Sequence, residues 1–443
     1  FGHWMKEIQP GESFETPKAI LSVCQGDVDL MCHRLVSAGE KYMENVPESE
    51  QSLPIVFNEY CTTWGNPSDE NISEILEAIK GKGFEYFVID CGWFKEDGVP
   101  WDVSMGDYNV SPSLFPQGLE KTVERIREKG MKPGIWFEID NVGPRARAFE
   151  NTDHLLKRDG MPLSTYTRRF WDMTDPWVQD YLGEKVIGTL QKYGFEYMKM
   201  DYNDTIGIGC DGCESLGEGL RRNMEASVDF VRRVKEEVPG IILENCASGG
   251  HKLEPLMMSL CSMASFSDAH ETEEIPIIAA NLHRAVLPRQ SQIWAVIREK
   301  DSLKRIGYSI TNTFLGRMCL SGDVTHLTEE QWDVIDRGIA FYKEISHIIK
   351  KGRTYHVSEK LTSDRHPEGY QVVVRVGEKG QALVVIHCFH GELPEYIEVK
   401  LPEGCGQQIL SSYAYVAPEV KVENGHLLYK TTENMNAAAV HLC

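Results

Sequence analysis

Two carboxylates and a lysine fall where the chain repeats itself. Gly83-Phe84-Glu85-Tyr86 leads through Phe87-Val88-Ile89 to Asp90, and Gly194-Phe195-Glu196-Tyr197 leads through Met198-Lys199-Met200 to Asp201. The spacing from Phe to Asp is the same in both. Short apolar runs ending in Asp read as buried strands that deliver a carboxylate at their open ends, and equivalent strands set their carboxylates at one height. A ring of parallel strands with polar side chains at one end is how a (β/α)8 barrel builds an active site. The plainer reading is that each Asp caps a helix or turns the chain after its strand.

The elements needed to hold such a ring are legible. From about Leu53 to Ile349, short apolar runs alternate with amphipathic helical stretches, the pattern of βα units. The predicted strands are Leu53–Tyr60, Tyr86–Trp93, Lys132–Ile139, Tyr197–Tyr202, Ile241–Ala247, Met263–Asp268, Gln290–Ala295 and Phe314–Leu320. Between the first two runs the stripe Ile72, Ile75, Leu76, Ile79, capped by Ser68 or Asn71 and stopped by Gly81 and Gly83. Leu119, Val123 and Ile126 mark another helix ending at Gly130, and Val178, Leu182, Val186 and Leu190 one ending at Gly194. Ahead of the barrel, Pro10-Gly11-Glu12-Ser13 reads as a turn into a strand, and Asp27–Tyr42 as a helix over the barrel's foot. After about Gly352, alternating runs such as Tyr370–Val376 and Ala382–His387 predict a small antiparallel sandwich. The expected domains are thus a linker over residues 1–50, an α/β TIM barrel over 51–350 and a C-terminal β-sandwich over 351–443.

At the strand ends the sequence gathers Asn58 and nearby Trp64, Asp90, Cys91 and Trp93, and Trp136 with Glu138. Further round come Lys199, Asp201 and Asn203, then Asn245, Cys246 and Ser248, then Asp268. Aromatics, carboxylates and amides on one rim suit a sugar, whose rings stack on Trp while its hydroxyls bond to Asp, Lys and Asn. Asp201 and Asp268 project from non-adjacent strands four and six and are placed to flank a scissile bond, as a retaining glycosidase requires. The duller reading leaves either Asp paired to a local Arg. A Schiff-base Lys199 is the aldolase alternative, but a carboxylate two residues on keeps its ammonium charged. Phe57-Asn58-Glu59-Tyr60 offers no paired His for a metal, and the lone Cys210-Asp211-Gly212-Cys213 is a weak metal signal best read as a reduced pair. Small residues at Ser248-Gly249-Gly250 let backbone N–H groups face a ligand.

Composition bounds the partners. A net charge of −21 on 443 residues argues against nucleic acid and anionic membrane, and no apolar run is long enough to span a bilayer. Twelve scattered cysteines, many inside apolar runs, and a start without an apolar signal core point to the cytoplasm. The opening on Phe1 instead of Met reads as a processed or excised fragment.

Several runs together resemble glycoside hydrolase family 36, the α-galactosidases of the clan shared with family 27. Ile89-Asp90-Cys91-Gly92-Trp93-Phe94 is similar to the family's D-D-G-W-F, Gly134–Glu138 to G-L-W-x-E, and Met198–Asn203 to K-W-D-x-N. Cys246–Gly250 matches C-x-S-G-G, Ser267-Asp268 the S-D of the acid/base strand, and Tyr342-Lys343-Glu344 looks like the barrel's end. The resemblance runs from about Pro10 to the C-terminus. It implies a TIM barrel followed by a β-sandwich, without the large N-terminal β-sandwich usual in the family, Phe1–Ala19 resembling the last strand and linker of that domain. It further implies Asp201 as nucleophile and Asp268 as acid/base. Asp90, Cys91, Trp93, Trp136, Lys199, Asn203, Cys246, Gly249 and Trp64 would line the sugar site. No metal or cofactor is implied. The expected activity is retaining exo-hydrolysis of α-linked galacto-oligosaccharides, and the acidic surface and the family suggest a homo-oligomer. Departures fall on recognition. Cys91 replaces the second Asp, His251 or Lys252 the Arg after C-x-S-G-G, Phe266 the Trp before S-D, and Ala269-His270-Glu271 the usual N-T-D. Those departures keep α-N-acetylgalactosaminides and β-L-arabinopyranosides open as alternatives, and a fragment lacking a needed domain would instead be a non-catalytic carbohydrate-binding subunit.

Overall fold

A computed structural model describes the whole chain except residues 1, 2, 44, 45, 270–272, 359, 360 and 362. Eight strands appear where the apolar runs predict them: β1 Val56–Asn58, β2 Tyr86–Ile89, β3 Lys132–Phe137, β4 Tyr197–Met200, β5 Ile242–Asn245, β6 Met263–Phe266, β7 Ser291–Ile297 and β8 Arg317–Gly322. They form a closed barrel with each strand beside its neighbours in sequence and β8 beside β1. Nearly every strand residue is buried, which is why these strands read as continuous apolar runs without alternation.

The chain divides into two compact units that interleave in sequence. The first comprises residues 1–20, 63–76 and 87–251. In it β3 pairs with β4 and β4 with β5, both parallel, so that Trp136 and Glu244 lie in register with Lys199 on either side. The helix Leu119–Glu128 buries Leu119, Val123 and Ile126. The helical stretch Pro176–Tyr193 buries Val178, Leu182, Val186 and Leu190, and ends at Gly194 in the left-handed region that glycine enters freely. Ser68 caps the helix Asp69–Ile79 by accepting the Asn71 N–H at 3.1 Å, so Ser68 and not Asn71 is the cap.

The expected strand after Pro10–Ser13 does not form. A turn closes there, Glu12 N–H to Gln9 O at 2.9 Å, but residues 3–20 hold no strand. Phe14 packs on Trp4 and under the Arg221 guanidinium instead of entering a sheet, and Pro17 lacks a ladder donor. Of the segment likened to a final strand and linker, Phe1 and Gly2 lie outside the described residues. An insertion follows β3. Asn141–Val142, Arg168–Phe170 and Ser164–Thr165 form a small sheet, with a hairpin of Lys157–Arg158 and Met161–Pro162 beside them in sequence.

The second unit comprises residues 21–62, 77–86 and 252–443. The helix Val28–Gly39, capped by Asp27, packs against Arg353–His356, where Asp29 accepts the His356 N–H. Beyond the helix Glu329–Lys351, opened by a Thr328/Gln331 capping box, the chain turns to β-structure. A five-stranded antiparallel sheet and the three-stranded sheet of Tyr396–Lys400, His426–Lys430 and Val420–Glu423 share one core, with Val374, Val384, Ile386, Ile397, Val399, Leu427 and Val440 packed between them. That is a sandwich.

Candidate active site

Asp201 follows the last residue of β4, and its backbone N–H still pairs with Phe137 O at 2.8 Å, so its position is set by the sheet. Its carboxylate is met by donors from three directions. Oδ1 accepts the N–H of Tyr202 at 2.8 Å and of Ser248 at 2.9 Å, and Oδ2 accepts the Trp136 indole N–H at 3.1 Å. Burial pushes the carboxyl up. The nearby Lys199 charge, the Ser248 and Tyr202 N–H groups and the Asn203 side chain more than offset this and hold it below the usual range. Asp201 is thus an ionised carboxylate in a confined site.

The Ser248 donor comes from strained backbone. After β5, Ala247, Ser248 and Gly249 have φ of 46°, 56° and 72°, a left-handed run that two of the three residues enter only at a cost. The run aims the Ser248 N–H at Asp201, whereas the sequence had suggested that this N–H faces a ligand. Gly249 is the one member for which the conformation is free. Burial is the first cause that raises the Cys246 thiol, and the Asp201 charge adds to it, so Cys246 is a neutral thiol beside Asp201.

Lys199 is buried and its Nζ lies 2.8 Å from Asp90 Oδ2. Burial works against its charge, but Asp90 and further anionic groups hold it well above the ordinary lysine value. The Cys91 N–H donates to Asp90 Oδ1 at 2.9 Å, and its side chain is buried. Asp90, Cys91, Trp136, Lys199, Asn203, Cys246 and Gly249 therefore all belong to the neighbourhood of Asp201 within the first unit.

Trp93 is 0% exposed, donates its indole N–H to Trp136 O at 2.9 Å and packs among Phe94, Tyr108 and Phe137. It supports the strand under Trp136. The chain turns it inward at Gly92, where a Cβ would sit 2.2 Å from Gly65 O. Trp64 stands 51% exposed in a left-handed turn shortly after β1.

Glu138, named in the sequence only as a rim residue, is as deeply placed as any of these. It lies just beyond β3, is 0% exposed, and accepts the Asn203 N–H at 2.8 Å and the Asn203 side-chain N–H at 3.0 Å. Arg168 Nη1 is 3.0 Å from Glu138 Oε1. Burial pushes Glu138 up to about 7 against the Arg168 charge.

Asp268 belongs to the second unit, two residues past β6, exposed, with the Ser267 hydroxyl 3.0 Å from its Oδ1. His270 and Glu271, where the sequence departs from the family pattern, lie outside the described residues. Among the described residues no group of three or more His, Cys, Asp or Glu is arranged to hold a metal ion, and no helix is long and apolar enough to cross a membrane. Cys210 packs with Leu156, Leu163, Phe170 and Ile206, and both it and Cys213 are free thiols.

The melibiase family profile matches residues 13–352. The α-galactosidase AgaA of Geobacillus stearothermophilus is 25% identical over 366 residues, 79% of this chain and 49% of that protein. An α-galactosidase of Escherichia coli is 27% identical over 320 residues, 70% of this chain and 44% of that protein. A crystal structure of a Geobacillus stearothermophilus AgaA variant, in complex with raffinose, shares the fold with a TM-score of 0.77 at 21% identity, over 94% of this chain and 59% of that one. This chain spans about half the length of the curated relatives it matches. Because the family profile runs through every strand of the barrel, including those that carry Asp90, Trp136, Asp201 and Cys246, the chain belongs to the melibiase family.

Proposed function

We propose that the protein is a retaining exo-α-galactosidase in which Asp201 is the nucleophile and Asp268 the acid/base. The observation that carries this is the state of Asp201: a confined carboxylate kept ionised by Lys199 and by N–H donors from Trp136, Tyr202 and Ser248. In the first step Asp201 attacks the anomeric carbon, the bond to the leaving oxygen breaks, and Asp268 gives that oxygen its proton. In the second, Asp268 takes a proton from water, the hydroxyl adds to the same carbon, and the ester to Asp201 breaks. Asp90, Cys91, Trp93, Lys199, Asn203, Cys246, Gly249, Trp136 and Trp64 line the sugar site in this reading, and no metal or cofactor takes part.

The substrate class follows from the relatives, which are named α-galactosidases and include one in complex with stachyose and with raffinose. Twelve free cysteines support a reducing compartment, the cytoplasm, and a homo-oligomer is part of the same reading. Cys91 favours a second sugar with an axial 4-hydroxyl, an α-N-acetylgalactosaminide or a β-L-arabinopyranoside, because a thiol cannot hold a hydroxyl as a carboxylate does. A panel of aryl glycosides assayed on the full-length protein tests these readings together. Turnover of the α-galactoside with an α-configured first product supports the proposal, turnover of another glycoside reassigns the sugar, and binding without turnover makes the protein a carbohydrate-binding subunit.

A further inference from the structure

Glu138 is a buried carboxylate that the proposed reaction does not use. Its oxygens are fully engaged. Oε1 accepts from Arg168 at 3.0 Å and from the Asn203 backbone at 2.8 Å, and Oε2 from Arg168 at 3.3 Å and from the Asn203 side chain at 3.0 Å. Its backbone is clamped as well. Tyr108 donates its hydroxyl to Glu138 O at 2.5 Å and accepts the Glu138 N–H at 3.1 Å. A carboxylate with two donors on each oxygen and no exposed surface cannot pass a proton to a leaving group. It is therefore not a third catalytic acid.

What Glu138 does hold is the chain just past Asp201. Asn203 is two residues beyond the carboxylate, and both of its bonds to Glu138 fix the turn that Asp201 begins. Trp136, two residues earlier and on the same face as Glu138, reaches Asp201 itself. One strand thus grips Asp201 directly and its following loop indirectly. Arg168 completes the grip from the insertion after β3. Its Nε lies 3.2 Å from Asp102 O and 3.5 Å from Asp204 Oδ2, and its guanidinium sits over the Trp101 ring. Burial drives Glu138 toward its protonated form and the Arg168 charge opposes that, while all four N–H contacts are directed at its two oxygens.

We propose that Glu138 and Arg168 form a buried brace that positions Asp201 through Asn203, making Glu138 a positioning residue and giving the insertion after β3 its role in the site. The proposal rests on Asp201 being the nucleophile, and its test separates the two. The full-length protein and its Glu138→Gln, Asn203→Ala and double variants are assayed for kcat and KM on an aryl α-galactoside. The rate at which an activated fluorosugar labels Asp201 is followed by peptide mass. A misplacement near 1 Å costs on the order of 10²-fold in rate, so Glu138→Gln should lose about 10–100-fold in kcat and in labelling with KM little changed, and Asn203→Ala, at a residue of the sugar site, should lose at least as much in labelling with KM raised as well. The double variant should lose less than the product of the two single losses, because the Asn203 side-chain bond to Glu138 is shared by both. Labelling of Glu138→Gln at the wild-type rate, or losses that multiply in the double variant, overturns the brace. Should Glu138→Gln fail to fold, Asn203→Ala carries the test, and its labelling at the wild-type rate overturns the proposal equally. A wild-type protein labelled on a different carboxylate overturns Asp201 as nucleophile, and the brace with it.

Discussion

Lys199 Nζ and Asp90 Oδ2 are 2.8 Å apart, a buried ion pair between β4 and the end of β2. These are the two segments whose sequences repeat each other. Equal spacing set Asp90 and Asp201 at equivalent strand ends, and the lysine two residues before Asp201 crosses to the other carboxylate. Held well above the ordinary lysine value, Lys199 is an ammonium and not the neutral amine that a Schiff base needs.

Breaking that pair is predicted to have two separable effects. Lys199→Met leaves Asp90 buried without its cation and should cost about 3–5 kcal/mol of stability, read by denaturant unfolding. It also removes a charge that lowers Asp201, so the acid limb of the kcat/KM profile should move to higher pH. A destabilised variant with an unmoved acid limb would separate Lys199 from the ionisation of Asp201.

Asp268→Ala should slow substrates with poor leaving groups far more than activated phenols, since only the former need a proton. In a ligand-bound structure of the full-length protein, the Asp201 and Asp268 carboxyls should lie about 5–5.5 Å apart. A separation of about 8 Å would favour inversion instead.

Cys91→Asp should raise kcat/KM on simple aryl α-galactosides, because a charged hydrogen bond to a sugar hydroxyl is worth about 1.5–3 kcal/mol. Wild-type activity on those substrates should correspondingly be weak. A harmful Cys91→Asp beside full wild-type activity would assign the buried thiol to packing alone.

Glu138 gives a prediction in pH. Its carboxyl, pushed up by burial to about 7, binds its proton more tightly folded than unfolded. The stability it contributes is present below the ordinary carboxylate value and is lost as pH rises through about 7. Glu138→Gln removes that titration, so wild type should lose stability relative to the variant between about pH 4.5 and 7. A difference that stays flat across this window would show that Glu138 titrates alike in both states.

The barrel was legible because each of its strands is buried on both faces and interrupted by helices with clear stops, such as Gly81 and Gly194. The cluster around Asp201 was legible for the same reason, its members being the residues at strand ends. The insertion after β3 was not. Its strands are two or three residues long, too short for alternation to register, and its one local signal is Asp159-Gly160, both in the left-handed region at a hairpin tip. Arg168 comes from there, so the partner that opposes the protonation of Glu138 was invisible. The indole bond from Trp93 to Trp136 O was not legible either, because it follows the turn at Gly92.

That Asp201 forms the bond to the sugar is put to the test by assaying Asp201→Gly on an activated aryl α-galactoside with and without azide. The variant should lose nearly all turnover, because no covalent glycosyl-enzyme can form. Azide, entering the space the carboxylate vacates, should restore phenol release and yield the galactosyl azide of β configuration. Retained turnover without azide, or a restored reaction whose azide product is of α configuration, would contradict Asp201 as the nucleophile.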